Sequence, residues 1–246
     1  MTEQKRSNTS GGKGKQRGNR PRSAANGGSR NKNASGATND ARTNNKNQAG
    51  NKGRSAEAKT RPRPSDRFLF HLTRRVFFVG FMGAGKTSVA RRVARDCALS
   101  AVDMDTYLER SRDCKVKTLF DRVGEEGFRD IEHEVLLEMT ELDPLLISCG
   151  GGVIKRAENR QLLRDCGFVI YLNVSADEAS GRIRNIATRP LFKDIDNARK
   201  TNAEREPLYE EVADATINTA GKSVARIAHE ARRILLRKGV LCQQPK

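Results

Sequence analysis

The sequence predicts an α/β fold, a parallel sheet covered by helices on both faces, and three observations carry that prediction. Short β-branched runs alternate with stretches of helical spacing, the first such run stops in a glycine-rich loop, and every large apolar side chain but Met1 lies beyond residue 67.

Residues 1–67 contain no Val, Ile, Leu, Phe, Tyr or Cys and are dominated by Gly, Asn, Ser, Lys and Arg. Such a stretch cannot bury enough apolar surface to offset chain entropy, so a disordered tail is expected. Charge divides at the same place, with 17 Lys and Arg against 4 Asp and Glu in residues 1–67, and 30 against 26 in the other 179 residues. The tail therefore carries +13 of the +17, and the folded part only +4. Nucleic acid or another polyanion is open to the tail on charge alone, although it has no aromatic residue for stacking. It also lacks the apolar segment of a signal peptide.

The folded part, residues 68–240, reads as one domain, with 241–246 as a short C-terminal tail. Arg75 to Gly80 is a β-branched and aromatic run, hence a buried strand, and Lys86 to Cys97 places Val89, Ala90, Val93, Ala94 and Cys97 at helical spacing. Further strands are expected at 145–147, 168–172 and 215–218, with helices at 157–164 and 222–237. No run of about 18 apolar residues exists to span a membrane, so a soluble cytoplasmic protein is expected, acting as a monomer. Five cysteines show no C-x-x-C pair, and His71, His133 and His229 stand apart from them, which argues against disulfides and a structural metal.

Gly80 to Thr87 matches G-x-x-x-x-G-K-S/T between a strand and a helix, where a phosphate-binding loop has to sit. Its backbone N–H groups, including those of Gly83, Ala84, Gly85 and Ser88, are expected to cradle phosphates at the helix N-terminus. Lys86 would reach the β and γ phosphates, and the Thr87 hydroxyl would face Mg²⁺. The Asn-Lys-x-Asp base-reading element of GTPases does not follow, which favours ATP; water, protein or a metabolite remains open as the phosphoryl acceptor.

Asp103 and Asp105 follow Ala101-Val102, so extended alternation would put both carboxylates on one face at a strand end, one near metal-bound water and one as base. Gly150-Gly151-Gly152 would expose bare backbone to a ligand. Arg129, oriented by Glu132 three residues on, with Arg189 and Arg205, suits carboxylate binding and a transferring phosphoryl group.

Taken in order, residues 80–87, Asp103-Met104-Asp105, 124–132, 148–154, Arg189-Pro190-Leu191 and 205–213 resemble the shikimate kinase family over roughly 75–236. The resemblance implies a three-layer α/β/α P-loop kinase fold with a five-stranded parallel sheet, and phosphorylation of the shikimate 3-hydroxyl by Mg·ATP in aromatic amino acid biosynthesis. It implies that Asp105 binds the shikimate hydroxyls and acts as base, with Asp103 nearer the Mg²⁺ water shell. Arg129 and Arg205 would clamp the shikimate carboxylate, Gly151 would meet a ring hydroxyl, and Arg189 would belong to a lid over the ATP phosphates. Gluconate kinases share the loop and sheet but should lack the triple glycine and paired arginines. In two places the chain departs from the family: Asp113 stands where a glycine ends a helix, and 189–205 is about one helical turn short.

Overall fold

The computed structural model describes residues 63–182 and 194–246. Residues 1–62 of the expected tail, and Arg189 with its lid, lie outside the described residues. In chain order the elements are β1 (Phe68–Leu72), β2 (Arg75–Val79), α1 (Lys86–Cys97), β3 (Ala101–Asp103), α2 (Met104–Ser111), α3 (Val116–Thr140) and β4 (Leu146–Ser148). A 3-10 turn (Val153–Lys155), α4 (Ala157–Cys166), β5 (Gly167–Asn173), α5 (Ala176–Arg182), α6 (Ile195–Val212), β6 (Ala215–Asn218), α7 (Val224–Arg237) and β7 (Leu241–Pro245) follow.

Five strands form one sheet in the order β3-β4-β2-β5-β6, every neighbouring pair parallel. Period-two alternation divides the core between its faces. Val76 and Phe78 of β2, with Phe168, Ile170 and Leu172 of β5, pack under α1 and α7. Phe77 and Val79, with Val169 and Tyr171, pack under α2, α3, α4 and α6. Full burial of each such side chain stabilises by about 1.5–3 kcal/mol before entropy is counted. β2 lies at the centre, where the strand order reverses, so the carboxyl ends of β2, β3 and β4 open on one crevice.

Two boundaries need correction. Residues 241–246, read as a C-terminal tail, supply β7, which pairs antiparallel with β1 from Phe68↔Pro245 to Leu72↔Leu241. Pro64–Asp66, assigned to the tail, form a 3-10 turn that packs on α1. Neither segment has a long apolar pattern, because a two-stranded ribbon buries only one edge of its side chains: Leu72 and Leu241 are covered and Leu69 is exposed. At Asp113 the chain takes φ 43°, the left-handed conformation that a glycine would provide, and Cys114 N–H still bonds Glu109 O at 3.1 Å. Aspartate tolerates this conformation better than most residues, so the turn survives the departure. All five cysteines are unpaired. Among the described residues no helix is long and apolar enough to cross a membrane.

Candidate active site

The loop between β2 and α1 is shaped by its glycines. Gly83 has φ 80°, and a Cβ there would lie 2.7 Å from the Ala179 carbonyl oxygen, so no other residue fits. Gly85 holds the N-cap position of α1 and offers no side-chain acceptor, and no acidic residue stands in the first turn. The orphan N–H groups of the helix start are thereby left to a ligand, and the helix dipole makes an anion the favoured one. Lys86 is buried; its ammonium donates to Gly80 O at 2.7 Å and Phe81 O at 3.0 Å, within the span of the loop.

Asp103 and Asp105 do not share an extended face, as alternation predicted. Asp103 ends β3 and caps α2, accepting from Thr106 N–H at 3.1 Å and its hydroxyl at 3.0 Å, and helix begins at Met104. Asp105 thus sits in the first turn of α2, and capping chemistry has overridden the extended reading. The other oxygen of Asp103 accepts from the Thr87 hydroxyl at 2.7 Å, and Thr87 Oγ1 lies 3.1 Å from Ser148 Oγ at the end of β4. Burial pushes the Asp103 carboxyl up, but the hydrogen bonds from Thr87 and Thr106 outweigh it and hold the pKa below the usual carboxylate value. Three hard oxygens therefore converge from α1, β3 and β4, one of them held ionised.

On the other side of the crevice Arg129 and Glu132, one turn apart on α3, meet at 2.5 Å, and Arg129 also lies 5.3 Å from the Phe128 ring centroid. Burial raises the Glu132 pKa, and Arg129 opposes that shift. The triple glycine runs between these groups and the loop. A Cβ at Gly150 would stand 2.7 Å from Glu132 Oε1 and 3.2 Å from Asp105 Oδ1, and one at Gly152 only 2.3 Å from Arg129 Nη1. The Gly151 carbonyl accepts from Tyr209 OH at 2.5 Å and from Arg205 Nη1 at 3.2 Å, both on α6. Asp105, Arg129, Arg205 and Gly151 are thus gathered about one stretch of backbone.

A cleft of about 810 Å³ joins the two sides, lined by residues 82–89, Asp103, Asp105, Ser148 and Gly151. Gly83, Ala84, Gly85, Lys86, Thr87 and Ser88 all face it. Sequence reasoning missed Arg182 and Lys222, which line its far wall. Arg182 is fixed by Thr219 Oγ1 at 2.9 Å and Glu178 at 2.7 Å, partners distant in sequence or without a motif. It also missed Tyr209, for which the Arg205-Glu206-Pro207-Leu208-Tyr209 run was the available signal.

A phosphate loop sharing its cleft with two aspartates and bare backbone defines a phosphotransferase of the P-loop class. The family model described as "Shikimate kinase" matches residues 82–235, and the chain belongs to the shikimate kinase family. The shikimate kinase of Cupriavidus pinatubonensis is 42% identical over 157 residues, covering 63% of this chain and 82% of that protein. That of Vibrio campbellii is 37% identical over 166 residues, 66% of this chain and 96% of its own. Among solved structures, the Acinetobacter baumannii shikimate kinase in complex with shikimate is 33% identical with a TM-score of 0.64, covering 67% of this chain and 94% of that one.

Proposed function

We propose that this chain transfers the γ-phosphoryl group of ATP to the 3-hydroxyl of shikimate, giving shikimate 3-phosphate and ADP. The observation that carries this reading is the convergence of Asp105, Arg129 and Arg205 on the triple glycine, of which Gly151, with Asp105, lines the same cleft as the phosphate loop. The acceptor has one carboxylate and a ring of hydroxyls; two guanidinium groups suit the first, and a carboxylate with bare backbone suits the second. The related Acinetobacter baumannii enzyme binds shikimate, which supports the same acceptor here.

In this reading α1 N–H groups and Lys86 bind the ATP phosphates, the Lys86 ammonium leaving the Gly80 and Phe81 carbonyls for phosphate oxygens. Arg129 and Arg205 fix the acceptor through its carboxylate. Asp105 takes the proton of the 3-hydroxyl as its oxygen attacks phosphorus and ADP leaves. Arg189 would close over the phosphates and exclude water, suppressing hydrolysis.

Mg²⁺ fits the oxygens of Thr87 and Asp103: it takes hard oxygen donors, and it needs only one or two protein groups beside phosphates and water. Thr87 would bind it directly and Asp103 through water. When bound it supplies charge against the phosphate oxygens. A cytoplasmic location accords with five unpaired thiols.

The test is ADP release by the purified chain with Mg·ATP and shikimate, quinate, gluconate or no acceptor. Stimulation by shikimate above the others is expected; equal rates with all, or with none, would refute the assignment.

A further inference from the structure

The charge of the folded part is not spread evenly. Residues 68–246 carry a net +4, yet Arg91 and Arg95 of α1 with Arg226, Arg233 and Arg237 of α7 are all exposed, and the rest of those residues sum to −1. The two helices pack side by side on one face of the sheet, their apolar sides buried in the same core cluster. Helical spacing then puts Arg91 and Arg95 in one outward row and Arg226, Arg233 and Arg237 in another. Each helix has one carboxylate, and each is already paired: Asp96 with Arg92 at 2.8 Å, and Glu230, 40% exposed within the α7 row, with Lys222 at 2.8 Å. Among the described residues Arg91, Arg226, Arg233 and Arg237 have no ion-pair partner.

We propose that this α1–α7 face is a second binding surface, separate from the phosphotransfer cleft, which takes the phosphate backbone of double-helical nucleic acid without reading its sequence. The row on α7 runs 11 residue steps from Arg226 to Arg237, about 16 Å of helix, against which a duplex presents on the order of ten charges at one per about 1.7 Å. Double helix is favoured over single strand because α1 and α7 contain no Phe, Tyr or Trp to stack on bases. An anionic membrane is disfavoured because these helices expose Val224 alone among large apolar residues, too little to insert among acyl chains.

A second observation points to the same partner. Residues 1–62 hold 15 Lys and Arg against 3 Asp and Glu, again without an aromatic or large aliphatic side chain beyond Met1. That chain enters the described residues at Arg63, immediately before the turn packed on α1. These cations belong to the same chain as the arginine rows, and tethering adds avidity without new contacts.

The test is fluorescence anisotropy of labelled 20-base-pair duplexes, one RNA and one DNA, with the full-length chain over a salt series. The comparison protein is the triple variant R91Q/R233Q/R237Q, whose phosphotransferase activity reports that it is folded. Binding to both duplexes is expected, and the slope of log affinity against log salt should fall by about 2–3 in the variant, roughly 0.9 per lost phosphate contact. An unchanged slope, absence of binding at low salt, or equal affinity for poly-glutamate would overturn the proposal. Tighter binding to vesicles of equal phosphatidylserine and phosphatidylcholine would assign the face to a membrane instead. The kinase reading stands or falls separately, since the substituted residues Arg91, Arg233 and Arg237 lie outside the lining of the phosphotransfer cleft.

Discussion

The hydroxyl of Thr87 donates to Asp103 Oδ2 at 2.7 Å, tying the first turn of α1 to the end of β3. With Thr106 on its other oxygen, this bond holds the Asp103 pKa below its unfolded value despite burial. A depressed carboxylate stabilises the fold fully above its unfolded pKa, near 3.8, and loses that contribution as pH falls through the lower folded value. Asp103→Asn removes the titration. Wild type should exceed the variant in urea midpoint by a constant amount between pH 5 and pH 8, and the gap should narrow below about pH 4. A gap unchanged at pH 3 would mean that the carboxylate is not held by these bonds.

Lys86 is the cation that the loop keeps among its own carbonyls. Lys86→Ala removes the charge from the point where it builds up on the transferring phosphoryl group, a loss expected at 10²–10³-fold or more in kcat. Circular dichroism should be unchanged, although Gly80 O and Phe81 O lose a donor. Near-normal turnover would refute the role assigned to the lysine.

Gly152 has φ −104°, which alanine adopts freely, so Gly152→Ala is a steric experiment rather than a backbone one. The new methyl would stand 2.3 Å from Arg129 Nη1 and 2.6 Å from its Cζ. Because the guanidinium ends a flexible chain, it moves and the fold stays. The expected result is a KM for shikimate raised about tenfold or more, with KM for ATP within about twofold and a melting temperature close to wild type. An increase confined to ATP would place Arg129 on the nucleotide side and end the carboxylate-clamp reading.

The central sheet was legible because β2 and β5 are buried on both faces and read as continuous apolar runs, and because α1 and α7 keep strict apolar spacing. β1 and β7 were not legible, since an exposed ribbon needs little apolar surface. α6 was hidden by Pro207 inside it and by a weakly patterned first half, and the part of α3 before Arg129 by the break at Gly124, φ 72°. At the site, residue types were readable where chemistry demands them, as at Lys86, Thr87 and Arg129. Their partners were less so. Asp103 was expected near a metal, but its second task, capping α2, is what moves Asp105 off the strand, and only the three-dimensional turn reveals it. Tyr209 carries no titrating or nucleophilic signature, and its role depends on a carbonyl 58 residues away in sequence.

That carbonyl gives the last prediction. Tyr209 is fully buried, stacked on Tyr171 at 5.2 Å between ring centroids, and its hydroxyl holds Gly151 O at 2.5 Å. Tyr209→Phe preserves the stack and deletes the donor, leaving Gly151 O to Arg205 Nη1 alone. One neutral hydrogen bond with its acceptor still served is worth about 1 kcal/mol, so the urea midpoint should fall modestly. The larger effect should be kinetic. Arg205 would then be engaged more fully by the backbone carbonyl and less by the acceptor carboxylate, so KM for shikimate should rise several-fold while kcat changes by less than about twofold. Stability reduced with KM unchanged would show that Tyr209 only packs α6 against the sheet, and that Arg205 keeps its aim without help from the hydroxyl.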